Sequence, residues 1–130
     1  MLLEFKDVDT YYGDLHVLKQ VNYTIERGEI VSLLGGNASG KSTTMKAVLG
    51  IVKPKTGDIF YEGQQINTLP TAARVRLGIA PVPEARRLFP RMTVLENLEM
   101  GAYTRRDREN LDDDLERVYG LFPRVKERRQ

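Results

Sequence analysis

At 130 residues and 41% hydrophobic content the chain is sized for one ordinary domain or part of one, and is too short for two full cores. The lack of cysteine excludes disulfides and thiolate metal sites, and a net charge of +2, with a mild basic excess in the second half, singles out no nucleic-acid partner. The first residues alternate and are soon charged, which excludes a signal peptide or membrane span there and leads us to expect a soluble, cytoplasmic product.

Leu3, Phe5 and Val8, interleaved with Glu4, Lys6 and Asp7, predict a half-buried strand that ends at Thr10-Tyr11-Tyr12 before a turn at Gly13-Asp14. Val17, Leu18, Val21, Tyr23 and Ile25 predict a second alternating run, closed by an Arg27-Gly28 turn. Tyr12 sits at a strand end, where its ring is either a flat platform for an adenine base or an ordinary strand tyrosine. His16, the one histidine, lies in the same turn region and has no cysteine or second histidine with which to share a metal. Glu29-Ile30-Val31-Ser32-Leu33-Leu34 reads as a short buried strand, so residues 1–34 are expected to be antiparallel β structure leading into an α/β core.

The next stretch, Gly35-Gly36-Asn37-Ala38-Ser39-Gly40-Lys41-Ser42, fits the phosphate-loop pattern G-x-x-x-x-G-K-[ST] at every fixed position. Thr43-Thr44-Met45-Lys46-Ala47-Val48-Leu49 follows as a helix ending at Gly50, so the motif has the strand before it and the helix after it that it requires. Glycines let successive N–H groups converge, and the helix adds the positive end of its dipole at the same spot. A polyphosphate such as that of ATP is the ligand such a cradle accepts. Lys41 is the candidate for reaching the β- and γ-phosphates, the Ser42 hydroxyl for coordinating Mg²⁺, and Thr43 for donating to the α-phosphate.

Residues 51–91 begin with a turn at Lys53-Pro54-Lys55-Thr56-Gly57 and continue as a hairpin, Asp58-Ile59-Phe60-Tyr61 folding back through Glu62-Gly63-Gln64-Gln65-Ile66. Two helical turns over residues 70–77 end at Gly78, and Ile79-Ala80-Pro81-Val82 is expected as a short strand. The proline-bounded loop 83–91 holds Glu84 and three arginines. If residues 79–82 lie parallel to the phosphate-loop strand, Glu84 faces the metal beyond the strand ends; the alternative is a salt bridge within the loop. In residues 92–130, Thr93-Val94-Leu95-Glu96 is a capping box opening a helix through about Tyr103. A charged amphipathic helix is expected over 105–122, with Leu111, Leu115, Val118 and Leu121 or Phe122 on one face.

Four stretches together resemble the ATP-binding subunits of ABC transporters, most of all the branched-chain amino acid importer subfamily. They are Tyr11-Tyr12-Gly13 with Leu18-Lys19; Gly28-Glu29-Ile30-Val31 running into the phosphate loop; Lys53-Pro54 with Thr56-Gly57; and Val82-Pro83-Glu84 followed by Arg86 through Leu98. The similarity covers essentially the whole chain, as the N-terminal half of such a subunit. It implies a P-loop NTPase core with an antiparallel N-terminal β subdomain, the start of a helical subdomain from about residue 92, and a sheet that is incomplete. It implies ATP and Mg²⁺ as ligands and Tyr12 as the residue stacked on adenine. Glu84 takes the position of the family's metal-side and permease-side loop, where most relatives carry glutamine and this subfamily carries glutamate. The implied partners are integral-membrane permease subunits and a second ATP-binding subunit, at the inner face of the cell membrane.

Two residues depart from the family pattern: Ala38 stands where glycine is usual, and Gly36 where proline or alanine is usual. If position 38 needs positive φ, alanine there is strained by about 1 kcal/mol or more. The 130 residues also contain no Leu-Ser-Gly-Gly signature, no hydrophobic run ending in Asp-Glu and no switch histidine of the family. The expectation is therefore a fragment, a truncated product or a chain completed by self-association, in which hydrolysis by these residues alone is doubtful. A truncated, non-catalytic nucleotide-binding or regulatory module is the alternative.

Overall fold

A computed structural model describes residues 1–85, 87–105, 107 and 110–130. They form two compact units, Met1–Ile79 and Ala80–Gln130.

The first unit is built on the expected β hairpin. Strands β1 (Leu3–Tyr12) and β2 (Leu15–Ile25) pair antiparallel, and the alternation of β1 sends Leu3, Phe5, Val8 and Thr10 inward. Helix α1 (Lys41–Val48) follows, then β3 (Thr56–Tyr61) and the short β4 (Gln64–Gln65). The sheet order is β2-β1-β3-β4, antiparallel throughout. The hairpin joining β3 to β4 turns on Glu62 at φ 50° and Gly63 at φ 79°, left-handed conformations that match the twist of a two-residue turn. Phe5, Val8, Leu18, Ala47, Val48, Ile59 and Ile66 meet in one core that seats α1 against the sheet.

Irregularities in β1 are held by side chains. Asp7 leaves the ladder at φ 50°, and Asn22 of β2 closes the gap, accepting from the Asp7 N–H and donating to its carboxylate, both at 2.9 Å. Asp9 ties three strands together: its carboxylate accepts from the Gln20 N–H at 3.1 Å, lies 2.6 Å from His16 Nε2, and accepts from the Thr56 hydroxyl at 2.8 Å. His16 in turn stacks on its cross-strand neighbour Tyr11, ring centroids 4.2 Å apart, and the Lys55 ammonium lies 4.6 Å from the Tyr11 ring centre.

Helix α2 (Thr71–Arg76) ends before Gly78 at φ 102°, as its sequence predicts. It carries Arg74, which is fully buried. The guanidinium donates to Ala47 O at 2.7 Å and Val48 O at 2.9 Å in the last turn of α1, and to Leu69 O at 2.9 Å and Asn67 O at 3.2 Å.

Two expected strands are absent. Residues 29–34 make no strand, and Ile30 and Leu34 are 99% and 87% exposed. Residues 79–82 likewise carry no strand. An apolar run becomes a strand only when a neighbour takes its backbone donors and acceptors, and among the described residues the ladder stops at β1–β4.

In the second unit, the capping box opens helix α3 (Val94–Gly101) as expected: Thr93 Oγ1 accepts from Glu96 N–H at 3.2 Å and Glu96 Oε2 from Thr93 N–H at 2.7 Å. Asn97 then locks the preceding loop, accepting from Phe89 N–H and donating to the Phe89, Met92 and Thr93 carbonyls at 2.8–3.3 Å. The helix expected from Arg105 begins later, as α4 (Leu111–Leu121), with positions 106, 108 and 109 outside the described residues. Before it, Arg105 bridges Asp107 and Asp114, and this pairing holds the Asp107 carboxyl down to about 2. Leu111, Leu115 and Val118 are half-buried, Tyr119 is the buried member of the face, and Leu121 and Phe122 are exposed. A short α5 (Pro123–Glu127) opens on proline, whose missing N–H costs nothing in a first turn.

The Asp9 junction makes stability pH-dependent. The Thr56 hydroxyl, followed by the Gln20 amide and His16, holds the Asp9 carboxyl below its ordinary 3.8. A depressed folded pKa stabilises above the unfolded pKa and is lost as pH falls through the folded value. Melting temperatures of wild type and Asp9→Asn should differ at pH 7 and converge as the pH is taken below about 4; a gap of the same size at pH 7 and pH 2.5 would show that the carboxylate charge is not the source.

Candidate phosphate-binding site

The phosphate loop forms, but without a strand before it. Residues 35–40 curl into the N-terminus of α1, and the turn is made possible by Gly40 at φ 92°. A Cβ there would lie 2.8 Å from Leu18 Cδ2, so glycine is also what lets the loop approach β2 this closely. The β1–β2 hairpin thus touches the loop directly, at the point where the β1–β2 register slips between the pairs Thr10↔Leu18 and Tyr11↔His16. Ala38 has φ 61°, so the conformation expected of the family's glycine is imposed on a residue with a methyl group.

Helix α1 begins at Lys41. Among the described residues no side chain caps it and no acidic residue stands in its first turn, so its leading N–H groups and dipole are directed at whatever occupies the loop. Lys41 folds back over the loop: its ammonium donates to Gly35 O and Gly36 O at 2.6 Å each and to Ser39 Oγ at 3.3 Å, matching its three hydrogens with three acceptors. Gly35 is packed by the same arrangement, since a Cβ there would meet Ser39 Oγ at 2.5 Å. Asn37 and Ser42 are exposed, Ser42 in the first turn of α1. Thr43 is buried, while its N–H belongs to the same uncapped turn; Thr44 is buried and donates to Gly40 O at 3.0 Å, securing the loop to the helix.

Tyr12 is 45% exposed at the end of β1, paired with Leu15 across the hairpin. Tyr12, residues 35–40, Lys41, Ser42 and Thr43 all belong to the first unit. Glu84 belongs to the second unit, exposed in a turn with Ala85. Sequence reasoning missed Arg74 and Asn97 as holding residues. A polar side chain three to five residues from a helix end is the only local signal either leaves. No helix among the described residues is long and apolar enough to cross a membrane.

Comparison with known proteins gives the same frame. Residues 18–129 match the ABC transporter domain family. The chain is 42% identical over 127 residues to the high-affinity branched-chain amino acid transport ATP-binding protein BraG of Pseudomonas aeruginosa, covering 98% of this chain and 54% of BraG. It is 36% identical over 115 residues to the probable branched-chain amino acid transport ATP-binding protein LivF of Archaeoglobus fulgidus, covering 88% of this chain and 48% of LivF. The chain thus spans about half the length of these curated relatives. A solved ATP-binding subunit of an ABC transporter superposes with a TM-score of 0.87 at 32% identity, covering 99% of this chain and 53% of that one. A dimeric, post-hydrolysis ATP-binding cassette bound to ADP and Pi superposes with a TM-score of 0.68 at 30% identity, over 81% of this chain and 49% of that one. A family match over most of the length, joined to a phosphate loop at the head of α1, decides the matter: this chain belongs to the ABC transporter family.

Proposed function

We propose that the chain is the nucleotide-binding part of an ATP-binding, energy-coupling subunit of an ABC importer for branched-chain or related amino acids. The observation that carries the reading is the uncapped N-terminus of α1 facing a glycine loop, with Lys41 lying across that loop. The amides of residues 36–43 orient the phosphates, and Lys41 exchanges its carbonyl partners for phosphate oxygens, an exchange favoured because a charged acceptor binds an ammonium more strongly than a carbonyl does. The Ser42 hydroxyl would hold Mg²⁺, which would supply positive charge to the bound polyphosphate. Tyr12 stacks on the adenine. Glu84 is assigned to the metal side of the site on its sequence match alone.

The substrate assignment rests on the similarity to BraG and LivF. Integral-membrane permease subunits and a second ATP-binding subunit are the proposed partners, the latter supported by the dimeric cassettes among similar structures. The proposed location is peripheral, on the inner face of the cell membrane.

Calorimetric titration of the chain with Mg·ATP is the direct test. Binding should be abolished in Lys41→Ala. Tyr12→Ala should weaken ATP by about 1–3 kcal/mol while leaving inorganic tripolyphosphate unchanged, and Glu84→Gln should raise the Mg²⁺ concentration needed for tight binding. Equal ATP affinity in wild type and Lys41→Ala would sink the reading.

A second outcome concerns position 38. Ala38→Gly should relieve the left-handed strain and raise stability by up to about 1 kcal/mol, with ATP affinity rising too. A lower melting temperature in that variant would show that the methyl group is tolerated without strain.

A further inference from the structure

We infer that Arg74 is a positioning residue of the phosphate site, acting through the length of α1: a buried cation at the C-terminal end of the helix that strengthens anion binding at its N-terminal end. The inference rests on the reading of residues 35–43 as a nucleotide phosphate site.

Arg74 is fully buried, and among the described residues no carboxylate pairs with it. Its partners are four backbone carbonyls, two of them Ala47 and Val48 at the end of α1. A buried guanidinium without a counter-ion is costly unless something else supplies negative potential. Here that potential comes from carbonyls, including the negative end of the α1 dipole. Gly50, at φ 75°, is shaped around the charge: a Cβ there would lie 2.8 Å from Arg74 Nε and 2.9 Å from Cζ. Burial draws the guanidinium pKa below its ordinary value, yet arginine remains charged in proteins.

The consequence follows from geometry. Helix α1 has eight residues, a rise of about 12 Å, so the guanidinium and a bound phosphate face each other along one short helix, with Thr43, Thr44, Ala47 and Val48 buried between them. Neutralising the carbonyl end leaves the amide end as the unopposed pole, and the buried cation itself attracts the phosphates. At about 15 Å, with an effective dielectric of about 20–40, this attraction amounts to roughly two- to sixfold in affinity per unit of ligand charge.

The test separates charge from structure. ATP, ADP and inorganic tripolyphosphate are titrated into wild type, Arg74→Gln, Arg74→Lys and Lys41→Ala. Gln keeps two donors for the carbonyls and removes the charge; Arg74→Met serves in its place if Gln yields no folded chain by circular dichroism. The expected result is that the neutral variant loses more affinity for ATP than for ADP, by roughly two- to sixfold, and that Arg74→Lys restores the wild-type ATP-to-ADP ratio. Equal losses for the two nucleotides, or a Lys variant that behaves like Gln, overturn the inference while Lys41-dependent binding in wild type still stands. No binding by wild type overturns the phosphate-site reading itself.

Discussion

The Arg74 guanidinium and the four carbonyls around it are the contact on which the first unit depends. Helix α1 is only eight residues long, too short to hold its shape by hydrogen bonds alone. One side of it is seated by Ala47 and Val48 in the core against Phe5, Val8 and Ile59. Of its C-terminal carbonyls, Ala47 O accepts from Arg74 in addition to the Gly50 N–H at 3.1 Å, and Val48 O is taken by Arg74. The same side chain reaches Asn67 and Leu69, so the helix, the segment after β4 and α2 are joined at one point. Asn67 extends the joint into the sheet, accepting from Ile59 N–H at 2.8 Å and donating to Gly57 O at 2.9 Å.

At the other end of α1 the structure accepts strain. Ala38 occupies a left-handed conformation and Gly40 another, and both are needed for the chain to turn from residues 35–37 into the helix while β2 packs against the loop. The loop is stiffened from within by Lys41, which spans its carbonyls, and by Thr44, which bonds back to Gly40. A rigid helix fixed at its tail and a strained loop at its head are what an anion site requires, because the amides must converge before the ligand arrives.

Much of this was legible in the residues. The alternation of β1 and β2, the Glu62-Gly63 hairpin turn, the Gly50 and Gly78 terminators and the Thr93–Glu96 capping box all appear where local chemistry puts them, because each depends on residues within a few positions of one another. The phosphate loop was legible for the same reason. The strands at 29–34 and 79–82 were not, since their apolar content says nothing about whether a neighbour is present to complete the ladder. Tyr119 was passed over in favour of Leu121 and Phe122, because helical periodicity alone does not say which edge of an apolar face is covered.

The amino-acid sequence by itself determined the family, the phosphate loop and its lysine, the identity of Ala38 and the local starts and stops of helices, since all are carried by short-range patterns. Only the tertiary structure decided which carbonyls Arg74 satisfies, how Asn97 locks the loop before α3, how the β1–β2 hairpin meets Gly40, and that residues 29–34 stay unpaired. These are contacts between residues up to 27 positions apart or between separate elements, as with Arg74 and Ala47. For Arg74 and Asn97 the accepting groups are backbone carbonyls that every residue possesses, so no side-chain pattern announces them.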